Sequence, residues 1–475
     1  MKKRRLSLWI IIVLLSFCLG LVIYSFWPFK PVNVLIFLLI FLLSLVASWF
    51  ARGLWKIIPI TFLCLILGYV YADFQKPQNV LPNNKIQGIV NGFRDCSRTE
   101  CRCPLKANDR FVVLKMRPEQ DFLCVPGNEL KAQGQVQSVK YKSESLAHGI
   151  DYYLLVEKIN LVDQKHGVWF GFLKILLDIK QNFSLAIGRL YGYEEAIFAR
   201  GLVLGEKQDF SFDFKTNLQK SGTSHLVALS GFNISILILA LFASLKFFSK
   251  KVAFVITSIS ILGFILMTGA PTSVVRAGLV GEFLILAEIL GRQNDSGLIL
   301  VWSLFLISLF SPFALAYDVS LQLSFSAFLG IVYLAPLINK QLHFLGFLGE
   351  TISQTLGATL FTLPLVAYYF GQISLISLLP NVLVISVVPI TTYLIMLSGI
   401  FYFIFLSLAH VLSFVAQVFL DYMLWIINFF GTISFSVIKL KLNSPIWLLA
   451  YYLVFTLFLI YWWKYIFEKE QIEHE

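Results

Sequence analysis

One apolar stretch, residues 223–235 (TSHLVALSGFNIS), carries a histidine, a serine and an asparagine around a glycine. His225 and Ser230 are the residue types of a general base and a nucleophile. Ser230 and Asn233 are three positions apart and share one face of a helix, whereas five residues of regular helix place His225 and Ser230 about 140° apart. The pair can therefore meet only if Gly231 lets the helix unwind. The structural alternative is that Ser230 and Gly231 are small residues at a helix contact.

Arg276 lies in a second apolar stretch, GAPTSVVRAGLVGEF, more than one turn beyond the helix start predicted at residues 271–273. A guanidinium at that depth pairs with a buried acid or binds an anion such as phosphate. In a third stretch, AYDVSLQLSFSAFLG, Asp318, Gln322 and Phe325 have the i, i+4, i+7 spacing of one helical face. A salt bridge between Arg276 and Asp318 is the structural alternative here, because buried charges usually pair.

The fourth polar group is Pro380-Asn381 in SLLPNVLVISVVP, where Pro389 follows. The two prolines predict a broken helix with freed backbone groups. Polar groups inside a membrane are costly, so each of the four stretches is a candidate for function.

The elements that position these groups must be membrane helices. The chain has 475 residues, of which 58% are hydrophobic and 14% charged, and a bilayer span needs about 20 mostly apolar residues. Such segments predict a polytopic α-helical membrane protein with about twelve transmembrane helices, three in residues 1–74 and the others in a channel domain, residues 223–465. The net charge of +11 does not by itself indicate nucleic-acid binding, since Lys and Arg also collect in cytoplasmic loops.

Basic residues set the predicted topology. Residues 2–5 (KKRR) precede the first apolar segment, and Arg52 and Lys56 lie between the second and third. The positive-inside rule then puts the N-terminus in the cytoplasm, residues 75–165 outside, and a tail, residues 466–475, in the cytoplasm again. All four polar groups fall in the outer half of the membrane in this topology. Their common depth predicts one shared polar cavity.

Residues 75–165 differ in kind from the rest of the chain. Alternating runs separated by turn residues, KIQGIVNGF, RFVVLKM, ELKAQGQVQSV and YYLLVEKINLV, predict a small all-β barrel or sandwich. An OB-like barrel is one candidate, which the pattern does not separate from other small β folds. Residues 166–222 alternate at helical spacing and predict amphipathic interfacial helices, with packing against the β domain as the alternative.

Four cysteines, Cys96, Cys101, Cys103 and Cys124, fall in the β segment. Outside the cytoplasm they predict two disulfides, for which three pairings exist. A zinc site is the alternative, but the C-x4-C-x-C spacing is unusual for zinc and no histidine lies nearby.

These residues give the sequence a resemblance to the ComEC/Rec2 family of competence proteins. The motifs are GTSHLVALSGFN (222–233), VRA (275–277), DVSLQLSFSA (318–327) and PN (380–381). Seven residues match the family's motifs directly: His225, Ser230, Gly231, Arg276, Asp318, Gln322 and Ser324. Asn233 departs from them, because a second histidine is common at that position, and the departure puts a role for an imidazole there in doubt.

The resemblance implies a channel that translocates single-stranded DNA across the bacterial cytoplasmic membrane during natural transformation. It favours the OB-like reading of the extracytoplasmic domain with its disulfides. It also implies that the motif residues, with Asn233, Phe325 and Asn381, line the DNA path through the lipid bilayer.

Many family members continue into a metallo-β-lactamase-like domain, and this chain resembles the form that lacks it. Its six histidines form no H-x-H-x-D-H cluster, and it has no P-loop. The sequence therefore predicts no metal, no cofactor and no enzymatic activity. A DNA receptor, a cytoplasmic ATPase or helicase, and a nuclease are expected as separate partners.

Two other functions stay open at this point. His225, Ser230 and Asp318 supply the residue types of an intramembrane serine hydrolase. Broken helices also suit a transporter of a small solute or a lipid intermediate.

Overall fold

The computed structural model describes residues 2–26, 58–75, 84–92, 95–96, 101–107, 110–137, 152–206, 210–227, 234, 237–238, 241–242, 244–291, 295–433, 437–442 and 444–473. The chain divides into two compact units. Unit 1 is Met1–Asn182 with Leu237–Leu321, and unit 2 is Phe183–Ile236 with Gln322–Glu475.

The helices are, in chain order, α1 (Lys2–Phe26), α2 (Ile58–Phe74), α3 (Val168–Leu190), α4 (Tyr193–Leu204), α5 (Phe212–Lys220), α6 (Ser224–Val227), α7 (Lys250–Met267), α8 (Thr272–Ile289), α9 (Ser296–Phe310), α10 (Ala314–Tyr317), α11 (Val319–Leu329), α12 (Ala335–Leu342), α13 (Phe347–Phe370), α14 (Leu378–Ile385), α15 (Val388–Phe401), α16 (Leu406–Gly431) and α17 (Pro445–Glu473). A π-helical turn, Gly330–Leu334, joins α11 to α12.

In unit 1, α1 and α2 pack side by side in the same direction. Gly20 lies against the backbone of Leu65, and Gly68 lies against the carbonyl of Phe17, so that a Cβ at either glycine would overlap the facing backbone. Small residues at membrane-helix contacts permit this close approach. Further along, Tyr24 donates a 2.6 Å hydrogen bond to Asp73. The C-terminal ends of both helices therefore lie at one level.

The β segment of unit 1 is a closed five-stranded barrel. Its strands are β1 (Lys85–Val90), β3 (Cys101–Ala107), β4 (Arg110–Met116), β5 (Asn128–Gln137) and β6 (Tyr152–Gln164), with a short β2 (Asp95–Cys96) on the edge of β3. The order is β1-β5-β6-β4-β3, and β3 pairs back to β1. Among the described strand pairs of the barrel, β4 with β6 is parallel and the others are antiparallel. The predicted small barrel is confirmed over the sandwich.

Alternation of inward and outward residues builds the barrel core. Burial follows the strand period, as in β3, whose odd residues are buried and whose even residues are exposed or half-buried. Leu105, Leu114, Leu130 and Leu154 are fully buried at its centre.

A disulfide joins Cys103 on β3 to Cys124, just after a 3-10 turn (Pro118–Leu123), with 5.8 Å between the Cα atoms. Cys101 is also disulfide-bonded, and Cys96 lies opposite it in the β2–β3 register. The side chain of Cys96 lies outside the described residues. The disulfide prediction is thus confirmed for Cys103 and Cys124, and these cysteines are not zinc ligands.

In unit 2, the helix α13 contains a proline whose missing hydrogen bond is replaced by a neighbouring helix. Pro364 lies inside α13 and cannot donate to the carbonyl of Leu360. Tyr451 of α17 donates to that carbonyl at 3.0 Å, and Tyr452 donates to the carbonyl of Phe361 at 2.7 Å. Side chains from a neighbouring helix thus satisfy backbone groups near the proline, which a membrane helix requires.

Four helical segments of the described chain are long and apolar enough to cross a membrane: Lys250–Met267, Val319–Leu345, Leu406–Gly431 and Pro445–Trp462. The pair α14 and α15, bent by 43° at the break predicted near Pro389, makes a fifth if it is one span. Shorter apolar helices include Ile10–Phe26, Ile60–Phe74 and Ser296–Phe310. The described helices support a membrane protein, and the count of twelve spans stays a prediction, as do the domain boundaries.

The region predicted to be interfacial contains α3, α4 and α5. One side of α3 exposes apolar side chains, which is the amphipathic pattern of a helix at a membrane surface: Val168, Trp169, Phe172, Ile175 and Ile179.

Tyr191 lies between α3 and α4. Burial raises the pKa of its phenol to about 12, so that the phenol stays neutral.

Candidate functional site

Asp318 is the best-defined of the predicted site residues. It precedes α11, and its Oδ1 accepts hydrogen bonds from the backbone amides of Ser320 (2.8 Å) and Leu321 (3.2 Å). Its Oδ2 accepts a 2.7 Å hydrogen bond from the hydroxyl of Thr272. The side chain is only 4% exposed. Asp318 therefore acts as an N-terminal cap of α11 and ties that helix to the start of α8.

Arg276 is 8% exposed and lies four residues after Thr272 on α8. Residues four apart share a helical face, so Arg276 lies one turn from the Thr272–Asp318 hydrogen bond. Among the described residues, the side chain bonded to Asp318 is Thr272 and not Arg276. The structure thus brings the second and third motifs together, through a threonine that the sequence had marked only as part of a helix start.

Gln322 follows on α11, in unit 2. Its Oε1 accepts a 2.6 Å hydrogen bond from the phenol of Tyr369, at the end of α13. Ser324 is half-buried and Phe325 is 9% exposed. Phe325 is therefore packed inside the protein in this structure, away from the exposed position that a base-stacking surface needs.

His225 lies in the short helix α6 and is exposed. The corner before it is a Schellman turn, in which the amides of Gly222 and Thr223 bond to the carbonyls of Gln219 and Leu218. Gly222 has φ +74°, a conformation that favours glycine. Ser230, Gly231 and Asn233 lie outside the described residues, so the arrangement of His225 with Ser230 stays a prediction.

Asn381 on α14 is brought to the same corner. A Cβ at Gly222 would overlap the Cβ of Ser377. The backbone N–H of Asn381 donates to the carbonyl of Ser377 at 3.1 Å. The first and fourth motifs thus lie next to each other in unit 2. Asn381 is 6% exposed, and its Oδ1 has no hydrogen-bond partner in the described structure, which leaves a buried acceptor open to a donor.

Two lysine–aromatic pairs lie on the outer surface of the barrel. The sequence analysis did not predict them. Lys106 of β3 lies 5.5 Å from the ring centre of Phe111 on β4. Lys115 of β4 lies 4.7 Å from the ring centre of Tyr153 on β6. The sequence does show charged and aromatic residues at outward strand positions. These residues identify the pairs only when the register of β3 with β4 is known.

No group of three or more His, Cys, Asp and Glu side chains suited to a metal ion is present in the part of the chain that the structure describes. The predicted absence of a metal site stays an expectation for the whole chain.

Comparisons with known proteins agree with these motifs. A family model described as "Competence protein" matches residues 202–465. ComE operon protein 3 of Bacillus subtilis (strain 168) is 26% identical over 236 residues, which are 49% of this chain and 30% of that relative. The chain thus covers less than a third of that relative's length. No solved structure matches the chain. The matched residues 202–465 include all four polar groups and exclude the barrel.

Proposed function

The chain belongs to the competence protein family, and from that premise we propose that it forms the channel through which single-stranded DNA crosses the cytoplasmic membrane during natural transformation. The family and its relative give it a role in DNA uptake. The further step, to a channel for single strands, rests on the barrel surface.

The outer face of β3 and β4 is the observation that carries the proposal. The outward residues of these two strands include Arg102, Lys106 and Lys115, and neither strand contains an acidic residue. Cations attract phosphates and aromatic rings stack on bases, and proteins that bind single strands combine the two. Phe111, 42% exposed, and Tyr153 supply the rings.

The barrel topology supports the same assignment. β3 and β4 are the second and third strands of the five-stranded barrel in chain order, and OB-type barrels bind oligonucleotides on the face of their second and third strands. We therefore assign this face as the surface that receives DNA.

The topology that we propose has the barrel outside, about twelve spans and both termini in the cytoplasm. The Cys103–Cys124 disulfide supports the outer location, since disulfides persist outside the cytoplasm. Tyr317 donates to the carbonyl of Ser25 at 2.7 Å, so Asp318 lies near the C-terminal end of α1. The neighbouring α2 ends at that level and leads into the barrel. Asp318 and Thr272 thus belong to the side at which DNA would arrive.

Within the membrane, we assign the DNA path to the motif residues. In unit 1, Arg276 supplies positive charge. In unit 2, Gln322 and Asn381 supply amides, and His225 lies at an exposed corner. The channel itself carries out no covalent chemistry in this proposal. A separate DNA receptor, an ATPase or helicase, and a nuclease supply capture, driving force and strand degradation.

Binding of a fluorescent oligonucleotide to the full chain in lipid nanodiscs tests the barrel assignment. Tyr153→Ala should weaken binding of a single strand by about 1–3 kcal/mol, the usual contribution of one stacked base. Lys115→Ala should weaken binding to all sequences and lower the slope of log affinity against log salt by about 1.

Lys131→Ala is the matched control, because Lys131 is an exposed lysine on β5, away from the β3–β4 face. Equal loss in Lys131→Ala and Lys115→Ala would argue against a defined binding face. Uptake of labelled DNA by cells carrying the wild type, Arg276→Ala or Asp318→Ala tests the channel itself. Normal uptake in a complete deletion would reject it.

A further inference from the structure

A carboxyl group lies near the middle of the helical hairpin formed by α7 and α8. Glu282 is close to the midpoint of α8 and Ser258 is at the midpoint of α7, each helix having 18 residues. The hydroxyl of Ser258 donates a 2.6 Å hydrogen bond to Oε2 of Glu282. Glu282 lies in the same apolar stretch as Arg276, and neither Glu282 nor Ser258 is part of the family motifs.

The second oxygen of this carboxyl is the unusual feature. Oε1 of Glu282 is shielded from solvent and has no hydrogen-bond partner in the described structure. A carboxylate shares its charge between both oxygens, and a buried charged oxygen without a donor is strongly disfavoured. A neutral acid avoids that cost, because the hydrogen-bonded Oε2 serves as its carbonyl and Oε1 carries the proton.

Charged groups near Glu282 do not offset its charge. Among the described residues, Glu282 takes part in no ion pair, and Lys250, the first residue of α7, pairs with Glu288 at 3.6 Å. Arg276 is six residues away on α8, which turns it about 120° from Glu282. The other described elements packed on this hairpin add little. α9 and the described residues among 237–245, of which Ile238 meets Gly281, contain no ionisable side chain. α3 meets α7 at Gly263, and its nearest charges, Lys174 and Asp178, are at exposed positions.

We propose that Glu282 and Ser258 form a proton-binding site inside the membrane, and that proton binding and release there are coupled to the passage of DNA. The coupling rests on the proposed function. In the resting state the carboxyl holds a proton on Oε1. On release, the proton passes to water admitted to the hairpin, and the carboxylate keeps the Ser258 hydrogen bond. Ionisable residues within spans commonly serve as proton relays.

A purely structural role makes a different prediction for one substitution. An interhelical hydrogen bond that serves only packing survives in Glu282→Gln, since the amide oxygen still accepts from Ser258. The amide of glutamine does not ionise, so the same variant removes the proposed site.

Labelling by a hydrophobic carbodiimide tests the site directly, because such a reagent modifies neutral carboxylic acids in apolar surroundings. The full chain in membrane vesicles is treated with dicyclohexylcarbodiimide and its peptides are analysed by mass spectrometry. We expect an adduct on Glu282 that declines as the pH is raised and the acid ionises, and none in Glu282→Gln. The matched control is Glu288→Gln, which should be labelled at Glu282 as the wild type is.

DNA uptake tests the coupling. Glu282→Gln should lower uptake about tenfold at unchanged protein level, within the usual range of a coupled site, and Glu288→Gln should not. Absence of the adduct at every pH, or wild-type uptake in Glu282→Gln, would overturn the proposal. Failure of the channel proposal looks different, since uptake would then persist in the deletion whatever the labelling shows.

Discussion

At the scale of single residues, Asp318 shows how one side chain can hold two helices. Both of its oxygens are occupied, one by the amides of Ser320 and Leu321 and the other by Thr272. A carboxylate near a helix N-terminus is also favoured by the helix dipole. Asp318 thus fixes the start of α11 and its position beside α8, one turn from Arg276.

Removing this cap should destabilise unit 1 measurably. Asp318→Ala should cost about 0.5–2 kcal/mol, the range for loss of an N-cap, and Thr272→Val about 0.5–1.5 kcal/mol for its one hydrogen bond. Thermal unfolding in detergent, followed by size-exclusion chromatography, measures both.

Thr272→Ser is the control for this pair, since it keeps the hydroxyl. The double variant should lose less than the sum of the two single losses, because both remove the same bond. Strictly additive losses would mean that the Thr272–Asp318 bond contributes nothing.

Sequence reasoning found Asp318 and Arg276 because charges in apolar stretches are conspicuous. It left the choice between a salt bridge and a shared cavity open, and the structure gives Asp318 a hydroxyl partner instead. Thr272 escaped notice because threonine is common at helix starts whatever it binds. A contact between residues 46 positions apart leaves no local pattern in the sequence.

At the scale of elements, glycines set how closely the helices approach. Gly330, at the start of the π-helical turn, meets Gly357 of α13 backbone to backbone, and a Cβ at either would overlap the other chain segment. π-helical turns are rare and often occur at functional sites. Here the turn lies at the contact between the long helix Val319–Leu345 and α13.

Gly357→Ala should therefore be disruptive despite the better helix propensity of alanine. Overpacking at such a contact costs about 1–3 kcal/mol, which should lower the unfolding temperature of the protein in detergent. Gly263→Ala on α7 is the matched control, because the nearest atom to a Cβ there is 3.7 Å away. Alanine at that position should be neutral or stabilising by up to about 1 kcal/mol. Equal effects of the two changes would contradict close packing at Gly330.

The strands show which elements a sequence can reveal. Four of the five barrel strands, β1, β4, β5 and β6, lie on runs whose alternation predicted them. The missing one, β3, has the sequence CRCPLKA, where Pro104 argues against a strand because it lacks an N–H donor. The closure of the barrel depends on pairings between distant segments, which alternation alone does not determine.

At the scale of the whole molecule, family membership and barrel architecture come from separate parts of the chain. The family match covers residues 202–465, whereas the barrel lies between Lys85 and Gln164. The membrane motifs could be recognised from the sequence because they are short and local. The cation–aromatic pairs on the barrel could not, since they depend on strand register.

The Cys103–Cys124 disulfide should contribute to the stability of the barrel. It closes a loop with a sequence separation of 21 residues, for which chain entropy predicts about 3 kcal/mol. Cys103→Ser with Cys124→Ser should lower the unfolding temperature and increase proteolysis within residues 85–164 of the membrane-embedded protein. Cys64→Ser is the control, because Cys64 is a free thiol. Unchanged proteolysis in the double variant would argue against this role.

The proline in α13 makes one backbone carbonyl depend on a donor that is synthesised later in the chain. The carbonyl of Phe361 has Ser326, synthesised earlier, as a donor at 2.6 Å. The carbonyl of Leu360 relies on Tyr451, which is 91 residues later in the chain. At usual rates of translation that interval lasts roughly 5 to 20 seconds. Each new chain therefore passes through a stage in which α13 has been synthesised but the donor for its Leu360 carbonyl has not, and the arrival of α17 ends it.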